Sequence, residues 1–424
     1  MRRLIASSMI AGLAISSAAI IPPSSALPAD RAAKTQATKF AFKAFGYGTR
    51  VKGGQIPVKS DSTAWQTIGC TNKAGLDRQN HEAEVTVPGL GVASGVKTRV
   101  WTTQEKGVAT AHSRHTIAQI TLGNENGTVD INAIRSISRA FHDAKGYHAE
   151  TDTKIGSIVL TRSGEAPQEL ALPTPDRPVE IPGLATIAVG QHFKKAHRNG
   201  ARAWADVIDI QVPAPGSRFR IAHSEARISG GVLGGIFNGY GSGTRAEGLQ
   251  DNVTHGRTPL LVMPCQGTNG KLRTKSIAST NLGDQVKVGA LSTRESADQT
   301  RKKSFGFIQA NIARIELGDG DLVVDAIKGR ANVTRKGKKV MSNSNGTTIG
   351  SITANGEAHS FPDTDVLEIP GVARLEQNVV EKLKHGIHVI ALRITLLDGS
   401  AAVINLGEAK LKIRKSGNKM RKRR

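Results

Sequence analysis

The sequence holds twelve histidines, and they are the first residues to test for chemistry. His112-Ser113-Arg114-His115 sets two imidazoles three positions apart. Side chains alternate along an extended strand, so that spacing sends the pair to opposite faces and suits a single metal poorly. The helical zinc-protease motif is not there either, because no Glu follows the first His. His142 and Asp143, with His148 close behind, form a second group of the kind that gathers at a turn. His223-Ser224-Glu225 has the residue types of a base, a nucleophile and an orienting carboxylate. Adjacent residues on a strand point apart, so the three do not relay a proton among themselves. Asp206 and Asp209 are expected to split across the two faces by the same rule. No Gly-x-Ser-x-Gly elbow, phosphate-binding loop or dinucleotide fingerprint occurs. The expectation is a protein that is not an enzyme, with no catalytic, cofactor-binding or metal-ligating residue to name.

What the sequence offers in quantity is positive charge. It carries 58 Lys and Arg against 35 Asp and Glu, a formal net charge of +23. Residues 410–424, KLKIRKSGNKMRKRR, contain Lys410, Lys412, Arg414, Lys415, Lys419, Arg421, Lys422, Arg423 and Arg424 and no acidic residue. A block of like charge repels itself, stays extended and adheres to polyanions. Residues 414–424 are therefore read as a disordered basic tail. Aromatic residues make up only 4% of the chain, too few for base-stacking platforms, and no nucleic-acid-binding motif is visible. The expected partner is an anionic cell-wall polymer or envelope surface, not a specific nucleic acid.

The other end reads as an address. Arg2 and Arg3 precede an uncharged stretch from Leu4 to Ile21, then Pro22-Pro23 and the small residues Ser24-Ser25-Ala26. This is the pattern of a secretory signal peptide over 1–26, removed on export. No later stretch has the uncharged apolar length of a membrane helix, so no transmembrane segment is expected after cleavage. The expected location is secreted or extracellular, in association with the cell wall.

Positioning side chains takes a scaffold, and the sequence writes its scaffold twice. Residues 44–51 read AFGYGTRV and residues 237–246 read FNGYGSGTRA; Gly48-Thr49-Arg50 and Gly243-Thr244-Arg245 lie 195 positions apart. Cys70 and Cys265 keep that separation, as do Ile117, Ala118, Ile120 and Leu122 with Ile312, Ala313, Ile315 and Leu317. The offset then falls to 194 for the two Ile-Gly-Ser-Ile runs at 155–158 and 349–352, to 188 for Ile-Pro-Gly at 181–183 and 369–371, and to 182 for Ile208, Ile210 and Val212 against Ile390, Leu392 and Ile394. Order is kept, and the drift falls in loop-like stretches that tolerate length changes. The reading is a tandem duplication, one copy over 38–230 and the other over 237–413, with the glycine-rich run 230–243 across the junction.

Within each copy the hydrophobic period is two. Ile208, Ile210 and Val212 alternate with Asp209 and Gln211, and Ile390, Leu392, Ile394 and Leu396 repeat the pattern. Alternation means strands with one face on a core and one in water. Asn126-Gly127 and Asp398-Gly399 supply the positive φ angles of tight hairpins. One short stretch, 372–384, is a candidate amphipathic helix. The fold class expected is all-β: two tandem homologous antiparallel β-sandwich or barrel-like domains related by pseudo-two-fold symmetry. In an exported chain the two cysteines at matching positions make an internal disulfide plausible; free thiols or an intermolecular bridge are the alternatives. An internal bridge brings the two α-carbons within roughly 7 Å. Equivalent points meet so closely only in a face-to-face, dimer-like pair.

The segments FAFKAFGYGTRV, IGCTNKAGL, IRSISRAFHDAKGYH, PCQGTNGK, LEIPGVARLE and ALRITLLDGSAAVINLGEAKLKI together give a chain that resembles the choice-of-anchor P family, exported proteins mainly of actinomycetes. The resemblance runs from about residue 38 to 413 and implies an exported or surface-associated protein; it carries no catalytic residues. The preferred reading is a non-catalytic structural or binding protein held at the anionic envelope by its basic tail. The alternatives are a carbohydrate-binding module and a secreted hydrolase. A glycan site wants exposed aromatics, for which Trp65, Trp101, Trp204, Tyr47, Tyr147 and Tyr240 are the candidates, with Trp204 expected on the buried side. A hydrolase wants clustered carboxylates or a histidine pair in a pocket. N-terminal sequencing of the exported protein is expected to begin near Leu27, and an intact Met1 on that form would refute cleavage.

Overall fold

In the computed structural model the described residues are 35–53, 62–87, 91–124, 127–212, 217–249, 253–282 and 286–416. The expected signal peptide, 1–26, lies outside them, as do Lys419, Arg421, Lys422, Arg423 and Arg424. The fold is all-β. Strands make up most of the described chain, their pairings are antiparallel, and among the described residues the only helical turn is a 3-10 turn at Gly318–Gly320. Alternation in sequence becomes alternation in burial: Leu291–Gln299 buries Leu291, Thr293, Glu295, Ala297 and Gln299 and turns the residues between them outward.

Four sheets form two stacked pairs. In sheet I the order is Val179–Ile181, Ala185–Val189, Ile208–Val212, Ser217–Ser229, Gln36–Gly53 and Gln66–Ala74, with His192–His197 and Gly200–Ala205 continuing beside Ser217–Ser229. Sheet II runs from Asp77–Val87 through Gly91–Glu105, Val108–Asn124 and Gly127–Asp143 to Ser157–Thr161 and Gln168–Leu170, with Gly146–Lys154 beside Gly127–Asp143. In sheet III, Gly235–Leu249 lies between Val253–Val262 and Val403–Lys415, followed by Gly386–Leu396, Ala373–Leu383 and Val366–Ile369. Sheet IV is built around Leu291–Gln299, Lys303–Leu317 and Leu322–Lys336. Each pair encloses a core. Ile117, Ile120 and Ile131 of sheet II meet Ile187, Ile208, Phe219 and Ile221 of sheet I. Ile312, Ile315 and Val324 of sheet IV meet Leu375, Leu392, Ile394 and Leu406 of sheet III. Each such side chain contributes about 1.5–3 kcal/mol by leaving water.

The twice-written Gly-x-Gly phrase lies where the paired sheets leave no room for side chains. A Cβ on Gly46 would stand 3.0 Å from Thr98 Cγ2, and one on Gly241 would stand 2.4 Å from Thr293 Cγ2. Thr98 belongs to sheet II and Thr293 to sheet IV, so these glycines serve close approach.

Long strands change the face they bury partway along. Ala222, Ala133, Ala326 and Gly407 have φ of 56°, 52°, 53° and 66°, each inside a long strand. A residue in that region shifts the alternation by one, as a β-bulge does. Before Ala222 the core-facing residues are Phe219 and Ile221; after it they are Ser224, Ala226 and Ile228, while His223 and Glu225 lie on the other face, covered there by Tyr47 and by Arg202 and Arg227. Neighbouring segments follow, burying Ala201, Ala203 and Ala205 and then Ile208 and Ile210. Two expectations fail for this reason. Trp204 is half-exposed on the face away from the core, not on the buried side with Ile208. Asp206 and Asp209 do not split: both serve outward-facing partners, His223 at 2.6 Å and Arg218 at 2.6–2.8 Å.

The stretch 372–384 is also a correction. It is the strand Ala373–Leu383, joined by a tight turn to Gly386–Leu396 and paired along its length, with Leu375 opposite Ile394 and Val379 opposite Ile390. Asn378, at φ 46°, breaks the alternation. The break leaves Val372, Leu375, Val379, Val380 and Leu383 at the spacing of a helix face.

From Lys34 onward the chain is one compact unit. The halves meet where Gln66–Ala74 passes Gly235–Leu249. There Cys70 and Cys265 form a disulfide with α-carbons 5.2 Å apart, buried with Ala41, Val232 and Ile236. Ser229 Oγ donates to Gln266 Oε1 at 2.9 Å, and the Asn72 amide donates to the Ser416 carbonyl. The bridge closes 195 residues of chain. The chain-entropy account credits such a loop with at most about 5 kcal/mol. Since each half keeps its own core, reduction is expected to lower the unfolding midpoint and separate one calorimetric transition into two. A midpoint and peak shape unchanged by reductant would remove the bridge as the restraint on the halves.

Candidate functional site

The outer face of sheet I gathers cations that are far apart in sequence. Lys195 lies opposite Arg202, Arg202 opposite Arg227, and Arg227 opposite Lys43. The row crosses four strands about 4.8 Å apart, and so spans about 14 Å. The next row holds Phe193 opposite Trp204, Trp204 opposite Glu225, and Glu225 opposite Phe45. The Phe193 and Trp204 rings are near-parallel, 11° apart, with centroids 6.2 Å apart. The bulge at Ala222 aims these two rows outward together.

Over the basic row lies a cleft of about 630 Å³. Its floor includes Lys43, Phe193, Lys195, Arg202 and Arg227. The opposing wall comes from the second half: Met263, Pro264, Cys265, Gln266 and Arg273. The disulfide is thus part of the cleft lining. A second hollow of about 620 Å³, along Ser276–Ala278, Ala290–Ser292 and Asn311–Ala313, has no charged side chain.

Glu225 organises the floor. Its side chain is only 3% exposed, Arg202 donates to both its oxygens at 3.0 Å, and Arg227 Nε donates to Oε1. Burial pushes its carboxyl up, but the two guanidinium groups outweigh that and hold it below the ordinary range. Both arginine side chains remain 40% exposed, with N–H donors to spare beyond this carboxylate. Lys43 has the reverse fate. Burial, reinforced by Arg227 and Arg202 and opposed by Glu225, pulls its ammonium down to about 8. Across the cleft, Arg273 donates to Glu295 Oε1 at 2.6 Å. Glu295 is fully buried, its Oε2 has no hydrogen-bond partner, and burial raises its carboxyl to about 7 against the pull of Arg273.

The remaining sequence candidates are placed as follows. His115 is buried beside Thr98, Nδ1 to Oγ1 2.6 Å, whereas His112 faces outward and stacks on Trp101 at 4.5 Å. His148 Nε2 lies 2.9 Å from Asp143, and His142 packs on Phe40 and Tyr147. Ser224 points inward to Ser136 and Ser138, at 2.5 and 2.8 Å, while its neighbour His223 turns outward and stacks on Tyr47. His223 and Asp206 form a close pair, but Ser224 does not join it. Among the described residues no three His, Cys, Asp or Glu side chains gather as metal ligands.

Lys410 and Lys412 are half-buried on the outer face of sheet III, and Arg414 and Lys415 extend the same strand, Val403–Lys415. The expected tail from 414 therefore starts too early: antiparallel pairing of Arg414 with Ile236 and Lys415 with Gly235 holds both in the sheet. On that face Glu408 accepts from Tyr240 at 2.6 Å and Arg257 at 2.8 Å, with His388 Nε2 also 2.8 Å away. Burial alone would raise its carboxyl; those hydrogen bonds hold it at about 2. Of the other aromatic candidates, Tyr47 is buried, Trp101 and Tyr147 are half-buried and Trp65 is 48% exposed, away from the cleft lining.

Sequence reading missed Lys43, Lys195, Arg202 and Arg227, since they lie on four different strands and the local sequence of each gives no sign of the others. For Lys195 and Arg202 the signal was parity within 192–197 and 200–205; strand register brings in Lys43 and Arg227. No protein-family model matches the chain, and no curated protein matches it.

The electrostatics fix a pH dependence. Lys43 is cationic below about 8 and neutral above it, well short of the usual lysine range. Glu295, on passing about 7, adds negative charge behind Arg273. Both changes make the cleft and its wall less positive as pH rises. Calorimetric titration of inorganic polyphosphate at low salt is expected to lose affinity between pH 6.5 and 9, with Lys43→Gln flattening the upper part of the curve. A flat wild-type curve would refute the assignment.

Proposed function

We propose that this chain is an exported, non-catalytic protein that binds an anionic polymer of the cell envelope. The observation that carries the reading is the unbroken row Lys195, Arg202, Arg227 and Lys43, open to a cleft at the seam between the halves. Cations clustered on one face raise the local concentration of a polyanion and bind it through screened attraction. Lys410, Lys412, Arg414, Lys415, Lys419, Arg421, Lys422, Arg423 and Arg424 add a second basic region. The N-terminal address over 1–26 supports export, and the quoted motifs support kinship with the choice-of-anchor P family.

In the same reading the two halves are copies of one domain. Gln36–Gly53 between Ser217–Ser229 and Gln66–Ala74 has its counterpart in Gly235–Leu249 between Val403–Lys415 and Val253–Val262. Cysteines at equivalent positions bonded to each other favour a dimer-like pairing about an axis near the bond. A carbohydrate-binding role is the second reading, favoured by the near-parallel Phe193 and Trp204 rings beside the basic row.

Adhesion by charge responds to salt. Washing cells with about 1 M salt, where the screening length falls to roughly 3 Å, is expected to release the protein. Retention in the wash pellet, with or without residues 417–424, would overturn the reading.

A further inference from the structure

We propose that the cleft over sheet I takes an acidic saccharide, a chain of pyranose rings each bearing a carboxylate, with the carboxylates on the basic row and the rings stacked on Phe193, which lines the cleft, and on Trp204, which lies outside the lining and opposite Phe193 on the neighbouring strand. The proposal rests on the anionic-polymer reading and narrows it to one ligand class and one site. Charge alone would need only the cations. Here a ring step runs parallel to them, two residues along the same strands: Phe193 precedes Lys195 and Trp204 follows Arg202. Side chains two apart on a strand share a face and sit about 7 Å from each other. That spacing matches a sugar whose apolar C–H face covers a ring while its charged substituent reaches the neighbouring row.

The details favour a carboxylate on a ring over a bare polyanion. The negative face of an aromatic ring attracts the positively polarised C–H bonds of a pyranose, and repels an uncovered anion. Trp204 and Phe193 are half-exposed, so the rings have free surface to offer. Arg202 lies over the Phe193 ring at 5.5 Å and Lys43 lies 5.9 Å from the centre of Phe45, so cation and ring already adjoin. Glu225 holds the planes of Arg202 and Arg227 in fixed orientation, a positioning role, and their outer N–H edges meet a planar carboxylate well. Glu225 also cancels part of the charge on the floor. A ligand with one charge per pyranose ring is matched better than one with a charge on every phosphate unit, where the charges stand closer together. The Met263–Gln266 wall closes the other side of the groove, which suits a linear chain.

The test uses the whole mature protein and three probes at one ionic strength: oligogalacturonate, a neutral malto-oligosaccharide and inorganic polyphosphate. Calorimetry is expected to give oligogalacturonate at least tenfold tighter binding than either of the others. The double variant Phe193→Ala with Trp204→Ala is expected to lose at least tenfold in oligogalacturonate affinity and leave polyphosphate unchanged. Arg202→Gln with Arg227→Gln is expected to weaken both. Saturation-transfer NMR on the unaltered protein avoids any folding defect and should show the strongest transfer at the pyranose C–H protons. Equal affinity for oligogalacturonate and polyphosphate, with no effect of the ring substitutions, would overturn the saccharide assignment and leave the anionic-polymer reading standing. Equal binding of the neutral sugar would overturn the role of the carboxylate. Failure of all three probes would overturn both readings.

Discussion

Everything outward on this protein depends on which face each strand buries, and that choice is made at a few backbone positions. Strands of up to 18 residues cross the whole width of a sandwich. A core only a few side chains thick fixes one parity at each end, and the parities disagree. The conflict is resolved by residues such as Ala222 and Gly407, held at positive φ inside the strands. Such a conformation costs a non-glycine residue of order 1 kcal/mol, which burial of neighbours such as Ile221 and Phe219 offsets. Because Ala222 makes the switch, Arg202 and Trp204 turn to solvent and Ala203 and Ala205 turn to the core.

The same constraint explains what the sequence made legible. Alternation within short windows gave an all-β protein, and the cysteine spacing suggested the bridge. Both are local or pairwise facts. Parity carried across 205–208 misplaced Trp204, Asp206 and Asp209, because no residue type announces a bulge at an alanine. Asn378 did the opposite: the parity change there leaves the apolar residues of 372–383 at helix-like intervals and disguises a strand as a helix. The candidate cleft was hidden for another reason. Lys43 and Arg227 are neighbours in space and 184 positions apart in sequence. Nothing in either one's local context sets it apart from the other basic residues of the chain.

Buried carboxylates divide the molecule's electrostatics by how they are served. Glu225 and Glu408 are each given charged or hydroxyl donors and stay ionised. They stiffen the outer faces of sheets I and III by fixing long basic side chains that would otherwise sweep through solvent. Glu295 has a single arginine and one idle oxygen, so burial wins. The first two are scaffolding for a charged surface. The third sits behind the cleft wall as a group whose charge varies near neutrality.

The cleft is made from both halves, its floor from one and its facing wall from the other. A guest seated there touches both, so its affinity and the docking of the halves are reciprocal quantities. Whatever loosens the hinge at Cys70 and Cys265 makes the guest leave sooner. Whatever occupies the groove clamps the two halves together, and a pull on a guest that bears on sheet I is passed to the second half through a covalent bond.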